Sequence, residues 1–203
     1  DKGKDPYWVD ALAQGVAVLK TFDGDRPALT LSEIAARLGW SRSKPFRFVH
    51  TLEKMGYLAR DSSGRAFRLT SLSMQLGFSY LSRLPLVEMA QPVLEQLRTQ
   101  VGASVHLALL EGKELVYVAQ SRIELPTAIN IHVGSRLPAY ATSIGRALLA
   151  YRSEAEWDDI IGPGPLHSWT QKSTVDPQVL RRSLALAREQ GYVFNDEEFH
   201  VGV

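Results

Sequence analysis

Arg42, Ser43, Lys44 and Arg47 fall within six residues of one another, with Ser41 just before them and His50 and Lys54 just after. Guanidinium and ammonium groups donate to guanine edges and to phosphates, and a hydroxyl serves either purpose. Such a set presented on one exposed helix face has the chemistry needed to read a DNA major groove. Arg60, Arg65 and Arg68 follow within the next stretch of chain. Between residues 37 and 68 the count is 8 basic to 2 acidic side chains.

The elements around these residues are those such a head requires. Thr30-Leu31-Ser32-Glu33 is a capping box, with a hydroxyl at the helix start and a carboxylate three residues on. Ile34, Ala35 and Leu38 form an apolar stripe, and Gly39 supplies the turn that ends the helix. Ser41 or Ser43 is expected to open the next helix, with Pro45 in its first turn where a missing N–H costs least. Along that helix Pro45, Phe48, Val49, Leu52 and Met55 share an inner face. Ser43, Phe46, Arg47, His50 and Lys54 then face outward. Residues 57–60 and 66–69 read as two strands around the turn Asp61-Ser62-Ser63-Gly64-Arg65, a wing bearing the three arginines. Leu12, Val16 and Leu19 predict a helix that packs behind the pair.

Charge supports this organisation when it is counted locally. The 203-residue chain has a net charge of only +1. Residues 1–70 carry 12 Lys+Arg against 8 Asp+Glu, whereas residues 71–203 carry 11 against 14. This asymmetry points to a nucleic-acid module joined to something else. With no cysteine there is no disulfide or thiolate metal site, which fits a cytoplasmic protein. No apolar run approaches a membrane span, and residues 1–6 are polar and unlike a signal peptide.

Beyond the wing the patterning changes. Leu72, Leu76 and Tyr80 recur at four-residue steps, predicting an apolar helix that ends at Leu84-Pro85 and either packs on its own domain or pairs with a second copy of the chain, pairing being favoured because duplex DNA presents two half-sites to a symmetric dimer. Another helix carries Val87, Leu94, Leu97 and Val101. Val105, Leu107 and Leu109 alternate, Glu111-Gly112-Lys113-Glu114 turns, and residues 115–119 return as a hairpin. Ile129, Ile131 and Val133 predict a third strand, residues 134–142 a loop, residues 143–151 and 154–161 two helices, residues 176–190 another, and residues 192–195 a final strand. The class is α+β.

Catalysis finds no support in the residue spacing. His50, His106, His132, His167 and His200 show no metal-ligand spacing, and Glu197-Glu198 reads as solvent-exposed acid. Ser143 has no nucleophile-elbow glycines, and no phosphate loop or dinucleotide fingerprint occurs. The expectation is a non-enzyme without catalytic residues, metal or cofactor. A protein-binding winged helix with no DNA or ligand role is the alternative, which the basic face argues against.

The winged head, the stretch Gly134-Ser135-Arg136-Leu137-Pro138-Ala139-Tyr140-Ala141-Thr142-Ser143-Ile144-Gly145-Arg146-Ala147-Leu148-Leu149-Ala150, and Gly191-Tyr192-Val193-Phe194-Asn195-Asp196-Glu197-Glu198 together resemble the IclR (isocitrate lyase regulator) family of bacterial transcription factors. The Pro-Ala-Tyr-Ala-Thr-Ser wording resembles the subgroup regulating protocatechuate, p-hydroxybenzoate and β-ketoadipate catabolism. The resemblance implies a winged helix-turn-helix at 1–70, a linker and dimerisation helix at 71–84, and a GAF-like effector domain at 85–203. It implies a homodimer or dimer of dimers that binds a double-stranded operator and responds to a small carboxylate or aromatic acid. It also implies further strands and a final helix after Gly202, so the effector domain reads as incomplete, with an unpaired sheet edge and an open pocket.

By position, Ser41, Arg42, Ser43, Lys44, Arg47, Arg60 and Arg65 become the DNA-contacting set. Lys44, Pro45 and Phe46 depart from the Thr, Val and His of many members. The resemblance places the effector between the sheet and the loop before the Gly145 helix. There Ala141, Thr142 and Ser143 offer free N–H groups and hydroxyls to an anion. Arg136 is expected to neutralise a carboxylate, to sit in solvent or to bind Glu197. Asn195 stands where a relative has Asp, and Tyr117, Tyr140, Ile129 and Ile131 are expected to wall the pocket or simply fill the core.

Overall fold

The structure is a computed structural model that describes residues 5–22, 26–123 and 131–202. Its contacts divide the chain into two units, Asp1–Arg83 and Leu84–Val203.

The first unit runs α1 (Asp10–Leu19), β1 (Leu29–Thr30), α2 (Leu31–Leu38), α3 (Pro45–Lys54), β2 (Leu58–Arg60), β3 (Ala66–Leu69) and α4 (Leu72–Leu81). The Thr30 hydroxyl accepts from the Glu33 N–H at 3.3 Å while Glu33 accepts from the Thr30 N–H at 2.8 Å. This closes the capping box, which contributes about 1 kcal/mol to the start of α2. Gly39, at φ +64°, supplies the left-handed turn that ends that helix. Neither Ser41 nor Ser43 caps α3: Lys44 is the N-cap residue with no side-chain cap bond, and Pro45 is the first helical residue. Three residues of turn precede the helix, and a proline at its start removes one of the N–H groups that a serine would have capped.

The three short strands form an antiparallel sheet in the order β1-β3-β2. Val18 of α1, Leu29, Ile34, Val49, Leu52, Leu58 and Phe67 make one core. Met55, expected inside, is exposed because it lies at the helix end beyond the covering elements. Helix α4 buries no residue, with Met74 70%, Leu76 65% and Phe78 69% exposed.

The second unit runs α5 (Pro85–Val101), β4 (Val105–Glu111), β5 (Glu114–Ser121), β6 (Arg136–Pro138), a short 3-10 turn (Ala139–Ala141), α6 (Ser143–Ala150), α7 (Glu154–Ile161) and α8 (Pro177–Gln190). Its antiparallel sheet has the order β4-β5-β6. The third strand lies at Arg136–Pro138 rather than 129–133, because Tyr117 exchanges backbone bonds with Gly134 and Ser135 just ahead of it. Ile131 to Val133 are not strand, and Ile129 lies outside the described residues. Residues 192–195 are irregular rather than a strand: the Tyr192 carbonyl accepts from Gln190 Nε2, and the Asn195 side chain reaches the Ala141 carbonyl. Ala108, Leu115, Tyr117, Leu149, Trp157, Ile161, Leu180 and Leu184 form the core between this sheet and α6, α7 and α8. Among the described residues no helix is long and apolar enough to cross a membrane.

Candidate functional site

In the first unit, Ser41, Arg42, Ser43, Lys44 and Arg47 are all exposed on the turn before α3 and on its first turns. Pro45 and Val49 point inward and hold the helix against the core. Lys44 lies with its Nζ 4.4 Å from the Trp40 ring centroid, and the Arg47 guanidinium lies 5.8 Å from that of Phe48. These rings steady the two cations without neutralising them. Arg42 and Arg65 form no side-chain hydrogen bond or ion pair among the described residues. Arg60 behaves differently. Its Nε donates to Glu53 at 2.9 Å, its Nη1 to the Gly64 carbonyl at 3.0 Å, and its guanidinium covers Phe67 at 4.8 Å. It braces the wing against α3 rather than standing free. Phe46 and His50 stack outward with centroids 6.1 Å apart, adding a flat apolar element to the same face.

In the second unit a cavity of about 320 Å³ is lined by Tyr117, Ile131, Leu137, Thr142, Ser143, Val193, Phe194, Asn195, Phe199 and His200. Five of the expected effector residues therefore share one cavity: Tyr117, Ile131, Thr142, Ser143 and Asn195. Leu137, Val193, Phe194, Phe199 and His200 complete the lining without having been expected there, because they belong to a strand and a tail that lie elsewhere than the patterning predicts. The Thr142 hydroxyl caps α6 by accepting from the Gly145 N–H at 3.1 Å. Ser143 and Ile144, the first helical residues, keep their N–H groups free of intrahelical partners, with the helix dipole behind them.

The Asn195 amide is fixed at both ends. Its Nδ2 donates to the Ala141 carbonyl at 3.0 Å and its Oδ1 accepts from the Glu198 N–H at 3.1 Å. One amide hydrogen remains for a ligand.

Three expected contributors stand elsewhere. Arg136 binds Glu114 at 2.8 Å and Glu111 at 3.0 Å, so its charge is satisfied by the β4–β5 hairpin and not by Glu197 or the cavity. The Tyr140 hydroxyl accepts from Trp169 Nε1 at 3.1 Å, which turns its ring toward the 166–174 segment. Ala141 contributes its carbonyl to Asn195 and is not part of the lining.

The cavity wall formed by residues 193–200 is anchored by a buried ion pair that corrects the reading of Glu198 as solvent-exposed acid. Arg146, only 4% exposed, donates from Nη1 and Nη2 to the two Glu198 carboxylate oxygens, each at 2.7 Å. Its Nε donates to the Tyr140 carbonyl at 2.6 Å. Glu198 also accepts from the Thr174 hydroxyl at 2.6 Å and the Thr174 N–H at 3.0 Å. Burial disfavours the charged carboxylate, but the bonds from Arg146 and Thr174 outweigh it and hold its pKa below the usual glutamate range. The Thr170 hydroxyl donates to the Glu197 carbonyl and the Ser173 hydroxyl to the Glu198 carbonyl, each at 2.6 Å. Among the described residues no group of His, Asp and Glu is arranged to hold a metal ion.

Residues 11–62 match the family model described as the IclR helix-turn-helix domain, and residues 78–203 match that described as the bacterial transcriptional regulator IclR C-terminal domain. The chain is 35% identical to the Pca regulon regulatory protein of Pseudomonas putida over 98% of its own length and 68% of the relative's. It is 31% identical to the p-hydroxybenzoate hydroxylase transcriptional activator of Acinetobacter baylyi over 97% of its length and 73% of the relative's. Among solved structures, an IclR homolog from Microbacterium hydrocarbonoxydans complexed with 4-hydroxybenzoate superposes with a TM-score of 0.78 at 30% identity. That match covers 94% of this chain and 79% of the other. These relatives are regulators, not enzymes.

Proposed function

The chain belongs to the IclR family of bacterial transcriptional regulators, and from that premise we propose that its operator binding is controlled by a small aromatic carboxylic acid. The observation that carries this reading is the cavity over the start of α6. Thr142 and Ser143 at the start of α6 line one side of it, and Tyr117, Ile131, Leu137, Phe194 and Phe199 supply apolar walls. An anionic group attached to a flat ring fits both halves. The similarity to regulators of protocatechuate and p-hydroxybenzoate metabolism, and to a homolog bound to 4-hydroxybenzoate, supports the same ligand class.

The basic face of α3 is the output. Arg42, Ser43, Lys44 and Arg47 are proposed to enter the major groove, with Ser41 and Arg65 on the flanking backbone and Arg60 holding the wing. Residues 71–84 are proposed as the linker through which two copies pair. The apolar residues Met74, Leu76 and Phe78 of α4 are exposed in the single chain, and a two-fold dimer presents two heads to two half-sites. Effector and DNA are coupled to the extent that the acid binds one arrangement of the two heads better than the other.

The test is thermal melting of the full chain with benzoate, hydroxylated benzoates and dicarboxylic acids. A ligand at about 100 times its Kd stabilises by about 2.7 kcal/mol, a shift on the order of 5–10 °C. A panel without any shift removes the aromatic-acid reading. For the output end, Arg42→Ala is expected to weaken operator binding by about 1–3 kcal/mol and to relax sequence preference in a competition assay. Equal loss on operator and on random DNA would assign Arg42 to a phosphate instead.

A further inference from the structure

Two polar atoms on the sheet of the second unit are buried without a hydrogen-bond partner: His106 Nδ1 and Gln120 Oε1. They belong to one cross-strand pair, since His106 of β4 stands directly opposite Gln120 of β5. Simple alternation would set this pair on the face opposite Tyr117, but the register shifts. Leu107 pairs with Ala119 and Ala108 with Tyr117, leaving Val118 as an extra residue with no partner. That bulge brings Tyr117 to the same face as Gln120 and His106. The His106 ring meets the Tyr117 ring edge-on at 5.7 Å, and Tyr117 lines the cavity. The Tyr117 hydroxyl itself has no hydrogen-bond partner among the described residues.

Burying a polar atom without a partner is costly, so two such atoms on one cross-strand pair, in ring contact with a cavity-lining tyrosine, need a physical reason. We propose that His106, Gln120 and the Tyr117 hydroxyl form a distal polar subsite that takes a ring hydroxyl group of the effector. The proposal rests on the effector reading above and names the part of the ligand that this end recognises. The chemistry selects the group. An imidazole Nδ1 and an amide oxygen repel a carboxylate but accept from an O–H, and a hydroxyl can also accept from Tyr117. Burial, with the nearby Arg122 charge, disfavours the imidazolium form, so His106 stays neutral at pH 7 and keeps one nitrogen free to accept. The carboxylate end then lies at Ser143 and Asn195, and the hydroxyl end at the bulge. The bulge thus performs a task that a regular strand could not.

The experiment is calorimetric titration of the full chain with benzoate, 3-hydroxybenzoate, 4-hydroxybenzoate and 3,4-dihydroxybenzoate, repeated for His106→Phe and Gln120→Met. At least one hydroxylated acid is expected to bind the unaltered chain about 10-fold or more tighter than benzoate, since a site built to bond a hydroxyl rejects the analogue lacking it. Both variants are expected to lose most of that preference while binding benzoate as before. Should a variant fail to fold, the ¹⁵N resonance of His106 Nδ1 in the unaltered chain decides: it is expected to move with the preferred hydroxybenzoate and to stay with benzoate. Equal affinity for all four acids, or a preference that survives both variants, overturns the subsite while leaving the effector reading intact. Binding of none overturns both.

Discussion

Arg146→Ala is expected to destabilise the effector domain by about 3–5 kcal/mol, the usual consequence of removing one partner from a buried ion pair. The alanine leaves the Glu198 carboxylate with only Thr174 and leaves the Tyr140 carbonyl without its donor. For a domain of this size the loss lowers the melting temperature by roughly 10–20 °C. Replacing both members by apolar residues of similar volume, as in Arg146→Met with Glu198→Leu, is expected to recover part of the loss, because no unpaired charge then remains buried. A single variant that melts within a degree or two of the parent would show that the pair contributes little. The same pair sets an acid limit. The folded-state pKa of Glu198 lies below its unfolded value near 4.5. Its stabilisation is therefore fully present above that value and is lost as the pH falls through the lower, folded one. Glu198→Gln is expected to flatten the stability curve in that acid window, where the parent falls away.

Gly145→Ala is expected to be nearly as damaging for a steric reason. A methyl group at this position would stand 2.6 Å from both the carbonyl carbon and the Cα of Ala139, and closer still to the carbonyl oxygen. These are backbone atoms of the turn that leads into α6, so no side chain can swing aside. The helix must shift away from the turn, and the Thr142 cap and the Ser143 N–H must move with it. The cost is expected at the upper end of the range of about 1–3 kcal/mol for overpacking, or beyond it. Effector affinity should fall together with the denaturant midpoint. An unchanged midpoint would mean that the turn yields without loss.

The head was readable from the sequence because its signals are local. A capping box, a glycine stop, a proline at the helix start and a two-faced helix each lie within about one or two helical turns of their partners. The residues that shape and surround the cavity of the second unit obey rules of longer range. Arg146 sits in a helix of otherwise apolar and small residues and gave no sign of its partner, which lies 52 positions away. Glu198, beside another glutamate, looked like ordinary surface acid. Arg136 lost its expected role to Glu111 and Glu114, and the nearer of these is 22 positions from it. His106 read only as a histidine without ligand spacing and Gln120 lay beyond the expected strand 115–119; the bulge that sets both on the face of Tyr117 leaves no mark in the sequence. Strand residues also defeated alternation where both faces of the sheet are covered, since neither face then reads as polar. Around the cavity the deciding contacts join segments far apart in the chain, whereas the expected serine cap of α3 failed locally, at Lys44-Pro45.

The 52-residue separation of Arg146 and Glu198 also bears on the order in which the protein is made. Synthesis delivers the arginine and its helix long before the glutamate. For that interval the guanidinium has the Tyr140 carbonyl but not its carboxylate, and the dense core around α6 cannot close over it without burying a bare charge. Closing so long a loop is slow compared with forming the hairpin or the helices. The cavity wall at 193–200 therefore settles only after the helix it packs on, and after residues 1–70 have been made.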